Sequence, residues 1–187
     1  MPFAARHLCL DHPAPPGPGW TALGRFERIE RPDAAYPLAP ITDTPSPYEV
    51  DDLPEAPPPL TYRRIGSRGH APARGALTGL LVVMVDNLDP GRAAEFNEWY
   101  DGVHVPDVMA AGSYVRATRY EAVSDGPARP AGYLAVYQTD WDSPLAAHRA
   151  VAQRAADMQM WPALEAIHVA SYRRHRVAGT VLATGPA

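Results

Sequence analysis

The chain has 187 residues and a formal net charge of −4, from 17 basic and 21 acidic residues, which is long enough to bury a core without disulfide or metal staples. All 17 basic residues are arginine, so Schiff-base chemistry on a lysine and a phosphate-binding P-loop lysine are excluded, and the acidic balance argues against a nucleic-acid partner. The single cysteine, Cys9, leaves no intramolecular disulfide or thiolate metal site. The longest apolar run, 79–85, is too short to cross a bilayer. No charged segment precedes an apolar one at the N-terminus, so a cytoplasmic protein with no membrane partner is expected.

Proline shapes the first third, because most of the 22 prolines lie between Pro13 and Pro72 or at Pro127 and Pro130. Proline lacks the amide donor and clashes inside a helix, so this region is predicted as strands and loops. The candidate strands are Arg6–Leu10, Trp20–Glu30 and Leu60–Ile65, with a weaker one at Tyr36–Ile41. Residues 67–76 are small, polar and turn-forming, and read as a linker.

From Leu77 the composition is that of an ordinary globular domain. A buried strand is predicted over Gly79–Val85. Asp89, Pro90 and Gly91 open a helix whose apolar stripe is Phe96, Trp99, Tyr100 and Val103, interrupted around His104 by Gly102 and Pro106. Strands follow at Tyr114–Val123 and Tyr133–Thr139. Ser143 and Pro144 cap a second helix with Leu145, His148, Ala152 and Ala155 on its face, and a last strand covers Ile167–Arg174. The order β-α-β-β-α-β makes an α+β, ferredoxin-like unit, with both helices on one face of an antiparallel sheet. The predicted divisions are a proline-rich region over 1–75, a ferredoxin-like domain over 76–176 and a flexible tail over 177–187.

An internal match links the two parts. Trp20 to Glu27, with Arg25, Phe26 and Glu27, matches Tyr114 to Glu121, with Arg119, Tyr120 and Glu121. Tyr62-Arg63-Arg64 matches Tyr172-Arg173-Arg174. Two readings follow: the first third is a worn copy of the second domain, its helices replaced by proline-rich loops, or the arginine-rich strands match by chance.

Signatures of dinucleotide binding, serine hydrolases, zinc peptidases and paired C-x-x-C motifs are absent. What remains is the cluster from Glu95 to Asp107, which sets carboxylates, an amide, a phenol and an imidazole beside a helix break. Trp99, Tyr100, His104 and Pro106 form a W-Y-x-x-x-H-x-P pattern. With 112–120 and 132–137, this resembles the dimeric α/β-barrel superfamily, and within it the EthD-like and muconolactone-isomerase-like proteins, over about 77–176. The resemblance implies a ferredoxin-like protomer whose sheet pairs with a second into a barrel, dimeric or pseudo-dimeric, with a pocket between each sheet and its helices. Relatives include cofactor-free isomerases, polyketide cyclases, small monooxygenases and some haem proteins. The proline-rich third departs from single-domain members and could supply the second half-barrel in cis.

His104 has the ordinary pKa closest to neutral in the cluster and is the natural proton carrier, unless it only caps the helix. Asp101 and Asp107 flank it, and Asp101 is the candidate to orient it; a metal would need more ligands than this segment supplies. Trp99 and Tyr100 read first as core, with the Tyr100 hydroxyl a candidate for the pocket. Asn97, Trp99, Arg116, Arg119, Tyr120, Tyr133 and Tyr137 are candidate substrate contacts. Alternation allows only one of Arg116 and Arg119 to face a pocket, where it would hold a carboxylate or enolate oxygen. Tyr133 and Tyr137 share a strand face, and Tyr114 and Tyr120 are expected to share theirs. His148 and His168 read as structural, with His168 a remote second candidate.

These residues point to a cofactor-independent isomerase, cyclase or lyase acting on a small hydrophobic, aromatic or polyketide-like carbonyl or lactone compound. His104 would move the proton. The alternatives are a monooxygenase or haem-binding member of the fold and a non-catalytic small-ligand-binding protein, and a homodimer is expected.

Overall fold

The computed structural model describes residues 6–10, 16–18, 21–23, 25–29, 47–55, 60–73, 75–123 and 131–175. Within them lie nine strands: β1 (His7–Cys9), β2 (Thr21–Ala22), β3 (Phe26–Arg28), β4 (Tyr48–Val50), β5 (Thr61–Gly69), β6 (Gly79–Asn87), β7 (Arg116–Ala122), β8 (Tyr133–Thr139) and β9 (Leu164–Arg174). The α-helices are α1 (Ala93–Trp99), α2 (Val105–Met109) and α3 (Pro144–Ala152). All nine strands form one antiparallel sheet in the order β2-β4-β1-β5-β7-β8-β6-β9-β3.

The C-terminal strands carry the ferredoxin-like order. In that unit the chain order of strands is β6, β7, β8, β9 and the spatial order is β7-β8-β6-β9, with α1 and α2 after the first strand and α3 after the third. The N-terminal strands repeat it: β1, β2, β4 and β5 stand in the order β2-β4-β1-β5. Their pairings follow the same register. Phe26, Glu27 and Arg28 face Arg174, Arg173 and Tyr172, while Tyr120, Glu121 and Ala122 face Arg64, Arg63 and Tyr62. These are the residues the sequence match aligns. The two ends of the sheet, β2 and β3, are separated only by residues 23–25, so the sheet curls until both edges meet in one run of chain.

Alternation along the strands gives two cores. Leu80, Val82, Met84, Leu134, Val136, Tyr120 and Tyr172 point to the inner face, where they pack with Leu8, Leu23, Phe26 and Tyr62 from the first third. Leu81, Val85, Ala117, Ala135 and Tyr137 point outward, against Phe96, Trp99, Tyr100, Val105 and Val108 of the helices and Ala147 and Val151 of α3. The division at 75/76 therefore separates two strand sets that share the inner core.

Several expectations need correction. Trp20–Glu30 is broken into β2 and β3, and β4 is a strand that the sequence pattern did not reveal; 36–41 and 177–187 lie outside the described residues. The segment read as a linker begins as strand, since β5 runs to Gly69. On α3 the buried residues are Pro144, Ala147 and Val151; of the predicted stripe, Leu145 and His148 are half-buried while Ala152 and Ala155 are exposed. Ser143 does cap it, its hydroxyl accepting from the Ala146 amide at 3.2 Å.

Candidate functional site

Gly102 and Pro106 predict a kink or a second short turn of helix over Asp101–Met109, and the helical run after β6 does continue there. α1 passes into a π turn, Tyr100–His104, and then into α2 with helical dihedrals throughout. Pro106 has no amide hydrogen to give the Gly102 carbonyl, so the run widens by one residue, and the Val105 amide donates to Tyr100 five positions back. The wider turn projects Asp101 toward the sheet while Tyr100 and Val105 stay buried.

Opposite that turn, β5 carries a bulge. Its pairing with β7 shifts between Arg64 and Gly66, which reverses the phase of the strand. Arg64 stands opposite the inward Tyr120, but Gly66 stands opposite Arg119 and Arg68 opposite Ala117, both on the helix-facing side. A cleft of about 300 Å³ results, lined by Gly66, Ser67, Arg68, Ala117 and Arg119 from the sheet and by Asp101 and Val105 from the helical run.

Arg119 is its centre. The side chain is 2% exposed, and Nη2 donates to Asn97 Oδ1 at 2.7 Å while Nη1 lies 3.0 Å from Asp101 Oδ1. The guanidinium carbon sits 4.1 Å from the centre of the Tyr100 ring. A buried cation is tolerable here because a carboxylate, an amide oxygen and an aromatic face all meet it. Asp101 is 52% exposed and reaches solvent through the cleft. Gly66 leaves room for it: a Cβ there would lie 3.3 Å from Asp101 Oδ1.

The expected residues divide into three groups. Asn97, Tyr100, Asp101 and Arg119 come together around one guanidinium, with Tyr133 at its margin, 6.0 Å from it. Tyr137 lies behind Tyr100. Burial pushes both phenols up, although Arg119 pulls the other way. Trp99 is core, its indole donating to the Gln159 carbonyl at 3.1 Å. Arg116 and Tyr120 do not line the cleft: Arg116 donates from Nε to Oγ of the lining residue Ser67, and Tyr120 is wholly buried in the inner core. Tyr114 and Tyr120 do not share a face, because Tyr114 precedes the regular strand and packs on the helix side.

His104 does not line this cleft. Its ring stacks on Trp99 at 5.1 Å and meets Tyr100 edge-on at 5.0 Å. Nδ1 is buried without a hydrogen bond, so Asp101 does not orient the imidazole; its carboxylate is held by Arg119 instead. Burial lowers the pKa of His104 to about 4, with Asp107 opposing and Arg119 reinforcing the shift. His168 is fully buried on the inner side, 3.0 Å from the Tyr172 hydroxyl, with its pKa also lowered to about 4 by burial and then by Arg28. His148 Nδ1 lies 2.9 Å from Ser171 Oγ. No group of three or more His, Cys, Asp or Glu among the described residues could hold a metal, and none of the described helices is long and apolar enough to cross a membrane.

Comparison with known proteins adds little to this geometry. No family model matches the chain, and no curated protein matches it. Among solved structures, a heme-degrading enzyme from Listeria monocytogenes aligns at 9% identity and a TM-score of 0.46, covering 91% of this chain and 100% of that one. A ferredoxin-fold protein from the same organism, described as related to antibiotic biosynthesis monooxygenases, aligns at 9% identity and a TM-score of 0.40, covering 93% and 97%. Both likenesses are loose, and the fold rests here on the strand order itself.

Gly66, Ser67, Arg68, Val105 and Ala117 were not legible as site residues. Arg68 lies in a stretch whose glycines and small polar residues read as linker. The one available signal was the strand before it, which runs through Arg63 and Arg64 in the same pattern as the last strand.

Proposed function

We propose that the chain is a cofactor-independent acid-base enzyme, and that the Arg119 cleft is its active site. The observation that carries this reading is a buried guanidinium ion-paired to a carboxylate that is half open to the same cleft. A small carbonyl or lactone compound would place its oxygen against Arg119. Asp101 would take a proton from the adjacent carbon, the C–H electron pair moving onto the carbonyl oxygen as an enolate. Arg119 stabilises that charge, and return of the proton to another carbon, or expulsion of a leaving group, completes an isomerisation, cyclisation or elimination. Asn97 holds the guanidinium in plane through its side-chain oxygen. Asp101 replaces His104 as the proton carrier in this scheme, since its carboxylate opens into the cleft while the His104 ring is stacked on Trp99 and does not line it.

The cleft draws its walls from both strand sets, Gly66 to Arg68 from the first and Asp101 to Arg119 from the second. We infer that the first third is a second ferredoxin-like half that closes a pseudo-dimeric barrel within one chain, as the repeated strand order and register support. It has kept no helix among its described residues. Among the described residues, only the second half carries such a helix, the one that holds Asn97 and Asp101. Kinship with the EthD-like and muconolactone-isomerase-like proteins belongs to the same proposal.

The test is deuterium exchange at carbon. Purified protein in D2O is offered a panel of β-keto esters, aryl ketones and unsaturated lactones, and label uptake next to the carbonyl is read by mass spectrometry. Catalysed uptake should fall at least ~100-fold in Asp101→Asn and in Arg119→Met, with the circular dichroism spectrum kept. Uptake lost in a folded His104→Phe protein but kept in Asp101→Asn would restore the histidine as proton carrier. A Soret band in the purified protein would favour the haem or monooxygenase alternative.

A further inference from the structure

Two pairings join the strand sets: β5 with β7, which carries the Arg119 cleft, and β3 with β9. A second cavity, of about 440 Å³, lies at the β3–β9 pairing and is not used by the proposed reaction. Glu27 reaches it from β3, Arg173 and Arg174 from the end of β9 with His175 after them, and Asp142 from the turn between β8 and α3. Leu77 and Thr78, just before β6, complete its wall. Hydrogen bonds fix the chain that carries these groups: the Arg174 amide donates to the Thr78 carbonyl at 2.8 Å, the His175 amide to the Arg25 carbonyl at 2.9 Å, and Thr78 Oγ1 to the carbonyl of Trp141, next to Asp142, at 2.6 Å.

The charges around this cavity are not paired off among themselves. At the other pairing Arg63 and Glu121 stand opposite each other, and Arg63 Nε donates to the Glu121 carboxylate at 3.0 Å. The sequence match puts Arg173 and Glu27 in the same relation, and they too stand opposite each other. Here the carboxylate turns elsewhere: Glu27 Oε2 lies 3.9 Å from His175 Nε2. His175 holds the place that Ile65, which cannot compete for a carboxylate, holds in the other half. Among the described residues, the side chains of Arg173, Arg174 and Asp142 have no hydrogen bond or ion pair, so two guanidiniums and one carboxylate line one cavity without meeting one another.

Such a lining selects by sign. A simple anion would be held by the arginines but repelled by Asp142 and Glu27, and a simple cation would meet the reverse, whereas a molecule carrying both signs satisfies both sides. Each guanidinium can hold one carboxylate through two parallel hydrogen bonds, and Asp142 can hold one ammonium. We propose that this cavity is a binding site for an acidic α-amino acid, with its two carboxylates on Arg173 and Arg174 and its ammonium on Asp142. The short hydrocarbon chain between those groups rests against Leu77, the apolar part of the wall. The site is separate from the Arg119 cleft, and its occupancy is independent of the reaction proposed there.

The probe is L-glutamate, titrated into the full-length, nitrogen-labelled protein at low ionic strength while the backbone amides of Arg173, Arg174 and His175 are followed by NMR. Saturable shifts of those amides are expected, with the apparent affinity weakened at least ~10-fold in Arg173→Gln, in Arg174→Gln and in Asp142→Asn, and unchanged in Asp101→Asn. The three altered side chains are exposed or half-buried, so these variants should keep the circular dichroism spectrum of the parent. Glutarate, which has the two carboxylates without the ammonium, should bind at least ~10-fold more weakly than glutamate. The proposal is overturned if glutamate produces no saturable shift. It is overturned equally if glutarate binds as well as glutamate or if Asp142→Asn leaves the affinity unmoved, either of which would reduce the cavity to a patch that attracts any anion.

Discussion

Arg119 and His104 stand fifteen positions apart by number and on either side of one aromatic ring, yet the fold gives them opposite characters. Arg119 is buried with Asp101 and Asn97 bonded to its guanidinium, whereas His104 is partly buried without a charged hydrogen-bond partner and burial lowers its pKa. This makes stability depend on pH in a definite direction. The folded pKa values of His104 and His168 are both about 4, below the ordinary 6.5, so the unfolded chain binds more protons between those values. Their contribution is fully present at pH 7 and is lost as pH falls from 6.5 toward 4, by on the order of 3 kcal/mol each. Urea midpoints at pH 7 and pH 5 should show this loss, and His104→Gln should flatten it; an unchanged slope would contradict the burial argument. Gly66 is the second residue-scale test. Gly66→Ala places a methyl against the Asp101 carboxylate, and exchange at carbon should fall ~10-fold or more while thermal stability changes by less than about 1 kcal/mol.

At the scale of elements, two local irregularities build the cleft: the π turn that projects Asp101 and the bulge that turns Gly66 and Arg68 toward it. Gly69 ends the bulged strand with φ of +83°, and a Cβ there would lie 2.2 Å from the Val115 carbonyl oxygen. Gly69→Ala should therefore cost about 2 kcal/mol or more in a denaturant titration, against about 1 kcal/mol for Ser143→Ala at the helix cap. How much of this could be read beforehand follows from the same physics. β6 and β8 alternate or run apolar over seven to nine residues between turn signals, and both were legible. So were the first helix stripe and the Ser143 cap. The π turn was visible only as a disturbance, since Gly102 and Pro106 announce a break without saying whether the chain stops or widens. Strand β4 has three residues, Tyr48–Val50, too few for a period, and owes its existence to pairing with β1 and β2. The bulge left no mark either: a one-residue slip in register depends on what the neighbouring strand offers. That is why Arg119 was foreseen as a candidate and its partner from β5 was not.

For the molecule as a whole, the repeated register argues that the chain carries its own second half. The outer edge of β7 is taken by β5, and the Tyr172–Arg174 end of the outer edge of β9 is taken by β3, so a strand from another chain would meet an open edge only along the earlier part of β9 among the described residues. The inner core is likewise shared between Leu8, Phe26 and Tyr62 of the first third and Leu80, Leu134 and Tyr172 of the rest. A homodimer formed by sheet pairing, the arrangement expected from the resemblance alone, would compete with these contacts. The matches of Arg25-Phe26-Glu27 with Arg119-Tyr120-Glu121 and of Tyr62-Arg63-Arg64 with Tyr172-Arg173-Arg174 were the sequence signals for this, and the structure pairs the matched segments with one another in the same register. Native mass spectrometry of the full chain over a dilution series tests the claim most directly. A barrel completed within one chain, with its cleft built from both halves, should appear as a 20.3 kDa monomer at every concentration. An obligate dimer persisting to the lowest concentration would contradict it and return the second half of the barrel to a partner chain.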